Sequence, residues 1–260
     1  MRSPNQAVRH RSGGKTARTG QLREPLAMKE ENHMKQQDRT IGLFKFGLRA
    51  HMEELFHDGH LYMSPLTTFI TLEGDRLRAD QHEAIDHTMP AKGAQLSIKD
   101  GGKWLPVGGL TGPIKFARQE RGKVNVFCLH MLLASRCKRH SKQLIDPQNF
   151  GFGDTFVVFV DADEFMRRVL AEISRRNLKF NRAAVEYVDP DSYDGAMGIF
   201  RKYLAFDFQC EYRFAIFPGT GEPYSLHIGS IADIARIGNL SDIDRRLRLL
   251  PPHTLLVSDE

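Results

Sequence analysis

The sequence has few of the features that mark secreted, membrane-embedded or metal-binding proteins. Its 260 residues include only three cysteines, Cys128, Cys137 and Cys210, and their spacing fits no metal site. We therefore expect no disulfide framework and a reducing, cytoplasmic compartment. No apolar run is long enough to span a membrane, and no signal-peptide core follows the basic N-terminus. No membrane partner is expected.

Motifs of several well-known enzyme classes are also missing. The eleven histidines show no HExxH or zinc-finger spacing, so no metal site is predicted. Gly151 and Gly153 precede an apolar run rather than follow one, which is the wrong order for a dinucleotide-binding fingerprint. The sequence contains no Walker motif and no nucleophile elbow. The chemistry must therefore be sought in less conspicuous patterns.

The excess of positive charge is confined to the first segment of the chain. Residues 1–39 hold nine Lys/Arg and four Asp/Glu, whereas the remainder holds 28 of each. This segment has no periodic apolar pattern, so we expect a disordered basic tail at 1–39 and a single α+β domain at 40–260. A basic arm can contact nucleic acid. The alternatives are a solvated leader or an upstream extension before a start at Met28 or Met34.

Apolar periodicity predicts short strands with helices scattered among them. Strands are expected at 40–46, 61–64, 124–129, 155–160, 183–188, 203–217, 225–228 and 253–257. Helices are expected from residue 48 to a left-handed cap at Gly59, from a cap at Asp161 to Ile173, and at 191–203, 230–237 and 241–248. Hairpin turns fit the glycine-rich residues 93–123, and 134–149 should be an irregular basic loop. This mixed order favours an α+β fold with a largely antiparallel sheet and flanking helices.

The most informative stretch is 203–217, YLAFDFQCEYRFAIF. Apolar and polar residues alternate in it, which predicts one strand with an aromatic face and a polar face. Gln209 and Glu211 are two residues apart and should project side by side. A carboxylate in this position can accept a hydrogen bond from a sugar hydroxyl and stabilise positive charge at an anomeric carbon. The alternative is a solvated polar face on a half-exposed strand.

Two earlier strands carry further candidates. Lys45 lies between Phe44 and Phe46, so its side chain projects away from the two aromatic rings and could bind a phosphate. Tyr62 and Ser64 share one face of the next strand, where they could stack on a ring and bond a hydroxyl or amide. The alternatives are a surface lysine and a tyrosine at the edge of the core.

Two charged segments remain. The first segment mixes acidic and basic residues: Glu73, Asp75, Arg76, Arg78, Asp80 and Glu83. It could bind substrate, hold a metal ion as in a nuclease, or be solvated. The second is basic and could contact nucleic-acid phosphates: Arg136, Lys138, Arg139, His140 and Lys142.

Taken in order, these motifs resemble the ADP-ribosyltransferase superfamily, which includes bacterial toxins, PARP-like enzymes and DarT-like toxins. The chain is also similar to a large bacterial family that we expect to belong among toxin or phage-defence transferases. The resemblance covers residues 41–217 and rests on four short motifs: Leu43-Phe44-Lys45-Phe46, Leu61-Tyr62-Met63-Ser64-Pro65, Val126-Phe127-Cys128-Leu129 and Phe208-Gln209-Cys210-Glu211-Tyr212-Arg213. Lys45 stands where characterised members carry His or Arg.

The resemblance implies a split sheet of the ADP-ribosyltransferase type and NAD as the substrate that donates ADP-ribose. It implies that Glu211 bonds the 2′-hydroxyl of the nicotinamide ribose and that Gln209 orients the acceptor. Lys45 would hold the phosphate or adenosine ribose, while Tyr62 would stack on nicotinamide with Ser64 nearby. The implied acceptor is a macromolecule, either RNA, DNA or protein, and the implied setting is a toxin, with a possible antitoxin, or an anti-phage effector. The alternative is a non-catalytic nucleotide- or nucleic-acid-binding module on the same fold.

Overall fold

The computed structural model describes residues 38–72, 75–83, 85–117, 123–139, 144–250 and 254–258. All but the last two residues of the predicted tail lie outside the described residues, and so do Glu73, His140, Lys142 and the side chains of Lys138 and Arg139. Over the described ranges, no helix combines the length and the apolar character that crossing a bilayer requires.

The chain forms many short strands and few helices. The strands, numbered in chain order, are β1 Thr40–Gly47, β2 His60–Pro65, β3 His87–Met89, β4 Leu96–Asp100, β5 Lys103–Val107, β6 Ile114–Phe116, β7 Asn125–Leu133, β8 Thr155–Phe159, β9 Lys179–Ala184, β10 Glu186–Val188, β11 Gly195–Ala196, β12 Arg201–Tyr203, β13 Glu211–Phe217, β14 Tyr224–His227, β15 Ala235–Asn239, β16 Leu247–Leu250 and β17 Thr254–Val257. The α-helices are α1 Arg49–Asp58, α2 Thr67–Thr71, α3 Ala134–Arg139, α4 Ala162–Arg175 and α5 Ile243–Arg246. The 3-10 helices are Pro147–Phe152, Leu204–Gln209 and Leu240–Asp242.

A large antiparallel sheet organises these elements around β7. Its strands follow the order β14-β2-β7-β1-β8-β15, and β13 joins it by pairing with both β7 and β9. Every pairing in this sheet is antiparallel. The predicted α+β class with a largely antiparallel sheet is therefore confirmed.

The sheet splits along one edge of β7. β13 pairs with β7 along residues 125–130. On the opposite edge, β2 pairs only with Asn125 and Val126, and β1 pairs only from His130 onwards. Among the described strands, none pairs with residues 127–129 on this second edge. β1 and β2 therefore diverge and leave a gap in the sheet.

Two helices pack on one face of the sheet and bury their apolar residues in its main core. α1 contributes Met52 and Leu55, and α4 contributes Phe165 among others. The predicted cap of α4 is confirmed, because the Asp161 side chain accepts a hydrogen bond from the Glu164 N–H at 2.9 Å. These contacts hold both helices against the sheet.

The predicted end of α1 is also confirmed. Gly59 adopts the left-handed conformation with φ 59°. A Cβ atom at this position would lie 2.0 Å from the Gly229 carbonyl oxygen, so the close approach requires glycine. The turn directs the chain straight into β2, which carries two of the candidate residues.

The prediction of one continuous strand over 203–217 is wrong. Residues Leu204–Gln209 form a 3-10 helix, Cys210 adopts a left-handed conformation with φ 42°, and β13 begins only at Glu211. The aromatic alternation had a different cause, since Phe208 packs against Phe152 with ring centroids 6.4 Å apart. Tertiary packing of the aromatic rings, rather than a pleated strand, explains the pattern in the first half of this stretch.

Three predicted helices are wrong or shortened. Residues 191–203 contain β11 and β12 instead, with a turn at Gly198, where φ is 60°. Residues 235–239 form β15, because pairing with β8 satisfies their main-chain groups. The helix at 241–248 is reduced to the short α5. Conversely, 134–149 is not wholly irregular, because α3 lies in it and a 3-10 helix begins there.

Candidate functional site

A cavity of about 590 Å³ lies at the split in the sheet, with Phe127 and Cys128 of β7 in its wall. The sequence predicted five site residues, and all of them line this one cavity: Lys45, Tyr62, Ser64, Gln209 and Glu211. They come from β1, from β2, and from the junction between a 3-10 helix and β13. Segments that are far apart in the sequence therefore meet at one place.

Glu211 lies at the floor of the cavity with only 8% of its surface exposed. One carboxylate oxygen accepts a hydrogen bond from Lys202 Nζ at 2.8 Å, and the other accepts from Arg213 Nη2 at 2.7 Å. Burial would raise the pKa of this carboxyl, but the charges of Arg213 and Lys202 outweigh it and hold the pKa at about 2. Glu211 is thus a permanent negative charge and not a general base at neutral pH.

Glu211 belongs to a buried ion cluster, which we define as Glu83, Lys202, Glu211 and Arg213. Arg213 Nη1 donates to Glu83 at 2.8 Å, and Lys202 Nζ lies 3.5 Å from the second Glu83 oxygen. All four residues are buried. Two acids and two bases neutralise each other, which is the condition for burying charges. The alternative of a solvated polar face is therefore wrong for this strand.

Gln209 is fixed at both ends of its amide. Its Oε1 accepts a hydrogen bond from Lys202 Nζ at 2.9 Å, and its Nε2 donates to the Leu77 carbonyl oxygen at 2.6 Å. The predicted side-by-side placement of Gln209 and Glu211 holds, although a turn rather than a continuous strand produces it. The shared donor, Lys202, keeps both side chains at the same point of the cavity wall.

The main chain of Glu211 is held as well as its side chain. Its N–H donates to the Tyr187 hydroxyl at 2.9 Å. Tyr187 and Lys202 are directly paired in the two-stranded parallel sheet of β10 and β12. One small sheet therefore supplies a partner for the backbone of Glu211 and another for its carboxylate.

Lys45 occupies the gap in the sheet. Its Nζ donates to the Cys128 carbonyl oxygen at 2.8 Å and lies 4.7 Å from the centroid of the Phe127 ring. Burial lowers the pKa of Lys45, and the nearby Glu211 acts in the opposite direction. An ammonium group has three N–H donors. One of them satisfies a carbonyl on the unpaired edge of β7, and the group stands at the cavity wall.

Tyr62 and Ser64 stand at different depths of the cavity. Tyr62 is 53% exposed and belongs to the mouth, where its ring lies edge-on to His60 with centroids 6.2 Å apart. Ser64 is half-buried and pairs with Val126 of β7, closer to the floor. An exposed aromatic ring and a hydroxyl in the same cavity suit a planar ligand with a polar edge.

Several lining residues were not predicted from the sequence. Lys202 was assigned to a helix, which hid its inward position on β12. Glu83 belongs to the segment that the sequence offered either as a substrate contact or as a solvated stretch. It is not among the lining residues of the cavity; it is 1% exposed and paired with Arg213, 130 positions away. No local signal reveals such a pairing. Arg78 of the same segment lines the cavity, which is compatible with the substrate-binding alternative for that segment.

His130 and Asn149 also line the cavity and also escaped prediction. His130 Nδ1 bonds the Gln209 carbonyl oxygen at 2.8 Å. Burial lowers the pKa of His130 to about 4, so the ring is neutral at physiological pH. The apolar run of β7 was the one available sign that His130 would be buried, because it lies directly after the predicted strand.

Two other kinds of chemistry receive no support from the described residues. Within them, no three His, Cys, Asp or Glu side chains are arranged to hold a metal ion. Cys128 lies at the cavity, but burial raises the pKa of its thiol to about 11. A thiol with so high a pKa is a poor nucleophile at neutral pH.

Comparison of the chain with protein-family models, with curated proteins and with solved structures returned no match. Function is therefore inferred from the residues of the cavity and their geometry.

Proposed function

We propose that this chain is an NAD-dependent ADP-ribosyltransferase that modifies a macromolecule. The observation that carries the proposal is the convergence of Lys45, Tyr62, Ser64, Gln209 and Glu211 on one cavity. These residues were selected from the sequence in three separate stretches, by their order along the chain. The acceptor in this proposal is a nucleic acid or a protein, and the setting is a toxin or an anti-phage defence effector.

The shape of the cavity supports the proposal. Sites for small molecules and cofactors commonly enclose roughly 300–1,000 Å³ and combine apolar walls with a few polar groups. This cavity of about 590 Å³ has rings of phenylalanine beside the buried ion cluster. It also opens at a split between β1 and β2, which agrees with the split-sheet fold that the resemblance implies.

The chemistry of Glu211 fits the departure of nicotinamide from NAD. The bond between the ribose C1′ and the nicotinamide nitrogen breaks, nicotinamide leaves as a neutral molecule, and positive charge develops on the ribose. A carboxylate that stays ionised can stabilise that charge and accept a bond from the 2′-hydroxyl. An acceptor nucleophile then forms a bond to C1′, and its proton passes to solvent water. Lys45 and Arg78 supply positive charge for the diphosphate.

A second candidate function is a non-catalytic nucleotide-binding module. One observation favours it: both carboxylate oxygens of Glu211 already accept bonds, from Lys202 and Arg213. Two cations so close reduce the negative potential that the carboxylate offers to a developing positive charge. In this alternative the same cavity binds a nucleotide, and the ion cluster only shapes its floor.

Release of nicotinamide from NAD by the purified protein separates the two candidates. The assay is run with the protein alone and with added RNA, DNA or lysate protein as acceptor. We expect the wild type to release nicotinamide and Glu211→Gln to lose about 100- to 1,000-fold in kcat, because Gln keeps the shape but not the charge. Binding of NAD should weaken much less.

The matched control is Glu164→Gln, which removes a carboxylate from α4, outside the cavity lining. It should leave nicotinamide release unchanged. Equal turnover by the wild type and Glu211→Gln contradicts the assigned role of Glu211. Nucleotide binding with no nicotinamide release under any condition supports the binding module instead.

A further inference from the structure

His60 and Ser225 lie on neighbouring strands, β2 and β14, at one end of the sheet. The residues that follow them, Leu61 and Leu226, are buried in the main core. Because side chains alternate across a strand, His60 and Ser225 project from the opposite face, which also carries the exposed Tyr62 ring. Among the described strands, β14 pairs only with β2, so this face lies at an open edge of the sheet.

Three side chains form a continuous chain of hydrogen bonds on this face. His60 Nε2 lies 2.8 Å from Ser225 Oγ, and His60 Nδ1 lies 3.0 Å from Glu54 Oε2. A carboxylate can only accept, so in the neutral ring Nδ1 carries the hydrogen and Nε2 accepts from the serine hydroxyl. In this arrangement an imidazole can take the proton of a serine that acts as a nucleophile.

The fold fixes the imidazole of His60 before any ligand binds. His60 directly follows Gly59, whose left-handed turn ends α1, the helix that carries Glu54. His227 of β14 is paired with His60, and the two rings are stacked with centroids 4.6 Å apart and an interplanar angle of 10°. The ring is therefore held by a carboxylate, a hydroxyl and a flat neighbour, and its orientation requires no rearrangement.

The three side chains are within reach of a substrate. His60 and Glu54 line the cavity, and their side chains are 18% and 52% exposed. Ser225 is half-buried, and its direct partner across the two strands is the Tyr62 of the cavity mouth. A small molecule that rests against the Tyr62 ring therefore lies next to the serine.

No sequence motif announces this group. Its members follow the order Glu54, His60, Ser225 along the chain, and no nucleophile elbow surrounds the serine. Groups of a nucleophile, a base and a carboxylate are recognised by geometry and not by sequence position. Two hydrogen bonds across two strands and a helix supply that geometry here.

We propose that Ser225, His60 and Glu54 are the nucleophile, the base and the positioning carboxylate of a site that hydrolyses carboxylic esters. Ser225 Oγ forms a bond to the carbonyl carbon, and its proton passes to His60 Nε2. The bond to the leaving alcohol breaks, and the alcohol takes that proton. Water then attacks the acyl group on Ser225 and gives a proton to His60, which returns it to Ser225 Oγ as the carboxylic acid leaves. This activity goes beyond the proposed transferase reaction and shares no assigned residue with it.

The first test is covalent labelling of the full chain with diisopropyl fluorophosphate, located by mass spectrometry of peptides. Ser225 Oγ forms a bond to phosphorus, fluoride leaves, and the serine proton passes to His60. A general base adds about 100-fold or more, so Ser225 should react at least about 100-fold faster than Ser192. Ser192 is the matched reference, because its hydroxyl donates to the Asp189 carboxylate at 3.0 Å instead of an imidazole. Labelling of Ser225 that is absent, or no faster than that of Ser192, overturns the proposal.

The second test is the hydrolysis of p-nitrophenyl acetate. Ser225→Ala and His60→Gln should each lower the rate by about 100-fold. The matched control is His57→Gln, an exposed position on α1 outside the cavity lining, which should keep the wild-type rate. A wild type that is no faster than Ser225→Ala overturns the proposal. Labelling of the wild type needs no substitution, so a variant that fails to fold leaves the first test intact.

Glu54 acts only through His60, so its test follows the ring. Nitrogen-15 NMR of the wild type should show the hydrogen of His60 on Nδ1. In Glu54→Gln the two tautomers should mix, and labelling of Ser225 should slow by roughly tenfold, since water replaces part of the bond at this exposed carboxylate. A wild-type ring with its hydrogen on Nε2 contradicts the assigned roles.

Discussion

Two groups of ion pairs in this protein hold a carboxyl at the same low pKa by different means. On α4, Glu164 accepts bonds from Arg167 at 2.6 Å and Arg168 at 2.8 Å, and hydrogen bonding to Arg167 and Arg168 holds its pKa at about 2. In the buried ion cluster, Glu211 has the same pKa, yet burial opposes it and the charges of two buried cations overcome that opposition.

The difference lies in what surrounds the charges. The Arg167 side chain is 68% exposed, so water and salt can replace its partner when the pair breaks. The Arg213 side chain is 1% exposed, so water replaces a lost partner there far less readily than at Arg167. Equal pKa values therefore do not imply that breaking the two kinds of pair costs the same free energy, and substitutions at buried and exposed charges test this difference.

The largest effect is expected from Arg213→Met. The variant leaves Glu83 and Glu211 buried with one cation between them. We expect it to lower the free energy of unfolding by about 3–5 kcal/mol, as measured by urea denaturation followed by circular dichroism. A loss below about 1 kcal/mol would show that water reaches the cluster, and the contrast with α4 would fail.

The second prediction concerns acid. The folded pKa of Glu211, about 2, lies below its ordinary value of 4.5, so its stabilisation is present above pH 4.5 and is lost as the pH falls towards 2. The difference in unfolding free energy between the wild type and Glu211→Gln should shrink by about 3 kcal/mol over this window. Urea titrations at several pH values measure it. A difference that stays constant between pH 5 and pH 2 would contradict the lowered pKa of Glu211.

The third prediction concerns Asp80, whose contribution to stability changes with pH in the opposite direction to that of Glu211. Burial, followed by the nearby charge of Glu83, raises its pKa from 3.8 to about 6. The wild type therefore loses stability as the pH rises from about 4 through 6, when this buried carboxyl must ionise. Asp80→Asn keeps the acceptor for the His82 N–H, which bonds Asp80 at 2.8 Å. We expect it to be more stable than the wild type by about 2 kcal/mol at pH 7 and equally stable near pH 4. A variant that is less stable at pH 7 would refute this.

The smallest effect is expected from Arg167→Ala on α4. Water replaces the lost partner of Glu164, so the urea midpoint should stay unchanged within error, as should any NAD turnover. A clear shift of the midpoint would mean that the exposed ion pairs contribute to stability as the buried ones do. In that case, exposure would not distinguish the ion pairs of α4 from the buried ion cluster in their effect on the free energy of unfolding.

The parts of the fold that follow from local pattern were predicted well. The strands around Lys45 and Tyr62, the left-handed end of α1 at Gly59 and the cap of α4 at Asp161 all depend on residues close in the sequence. Local chemistry decides these elements, so the sequence was sufficient to place them. The resemblance, and not local pattern, grouped the five candidate residues that line one cavity.

The parts that failed depend on distant partners. Glu83 is buried because Arg213 neutralises it. The alternating rings of Phe206 and Phe208 predicted a strand, but the strand begins only at Glu211. Lys202 became part of the site because β12 pairs with β10 rather than continuing a helix. Periodicity cannot distinguish a solvated charge from one that meets its counter-ion across the fold.

The pairing of Tyr187 with Lys202 has a mechanical consequence. One of these residues accepts from the N–H of Glu211 and the other donates to its carboxylate, and they are neighbours across the same pair of strands. Any displacement of this small sheet must therefore move the backbone and the carboxylate of Glu211 together, as one rigid unit. The direction in which Glu211 faces the cavity thus depends on the position of β10 and β12, so a molecule that tilts these two strands would reorient the carboxylate without touching it.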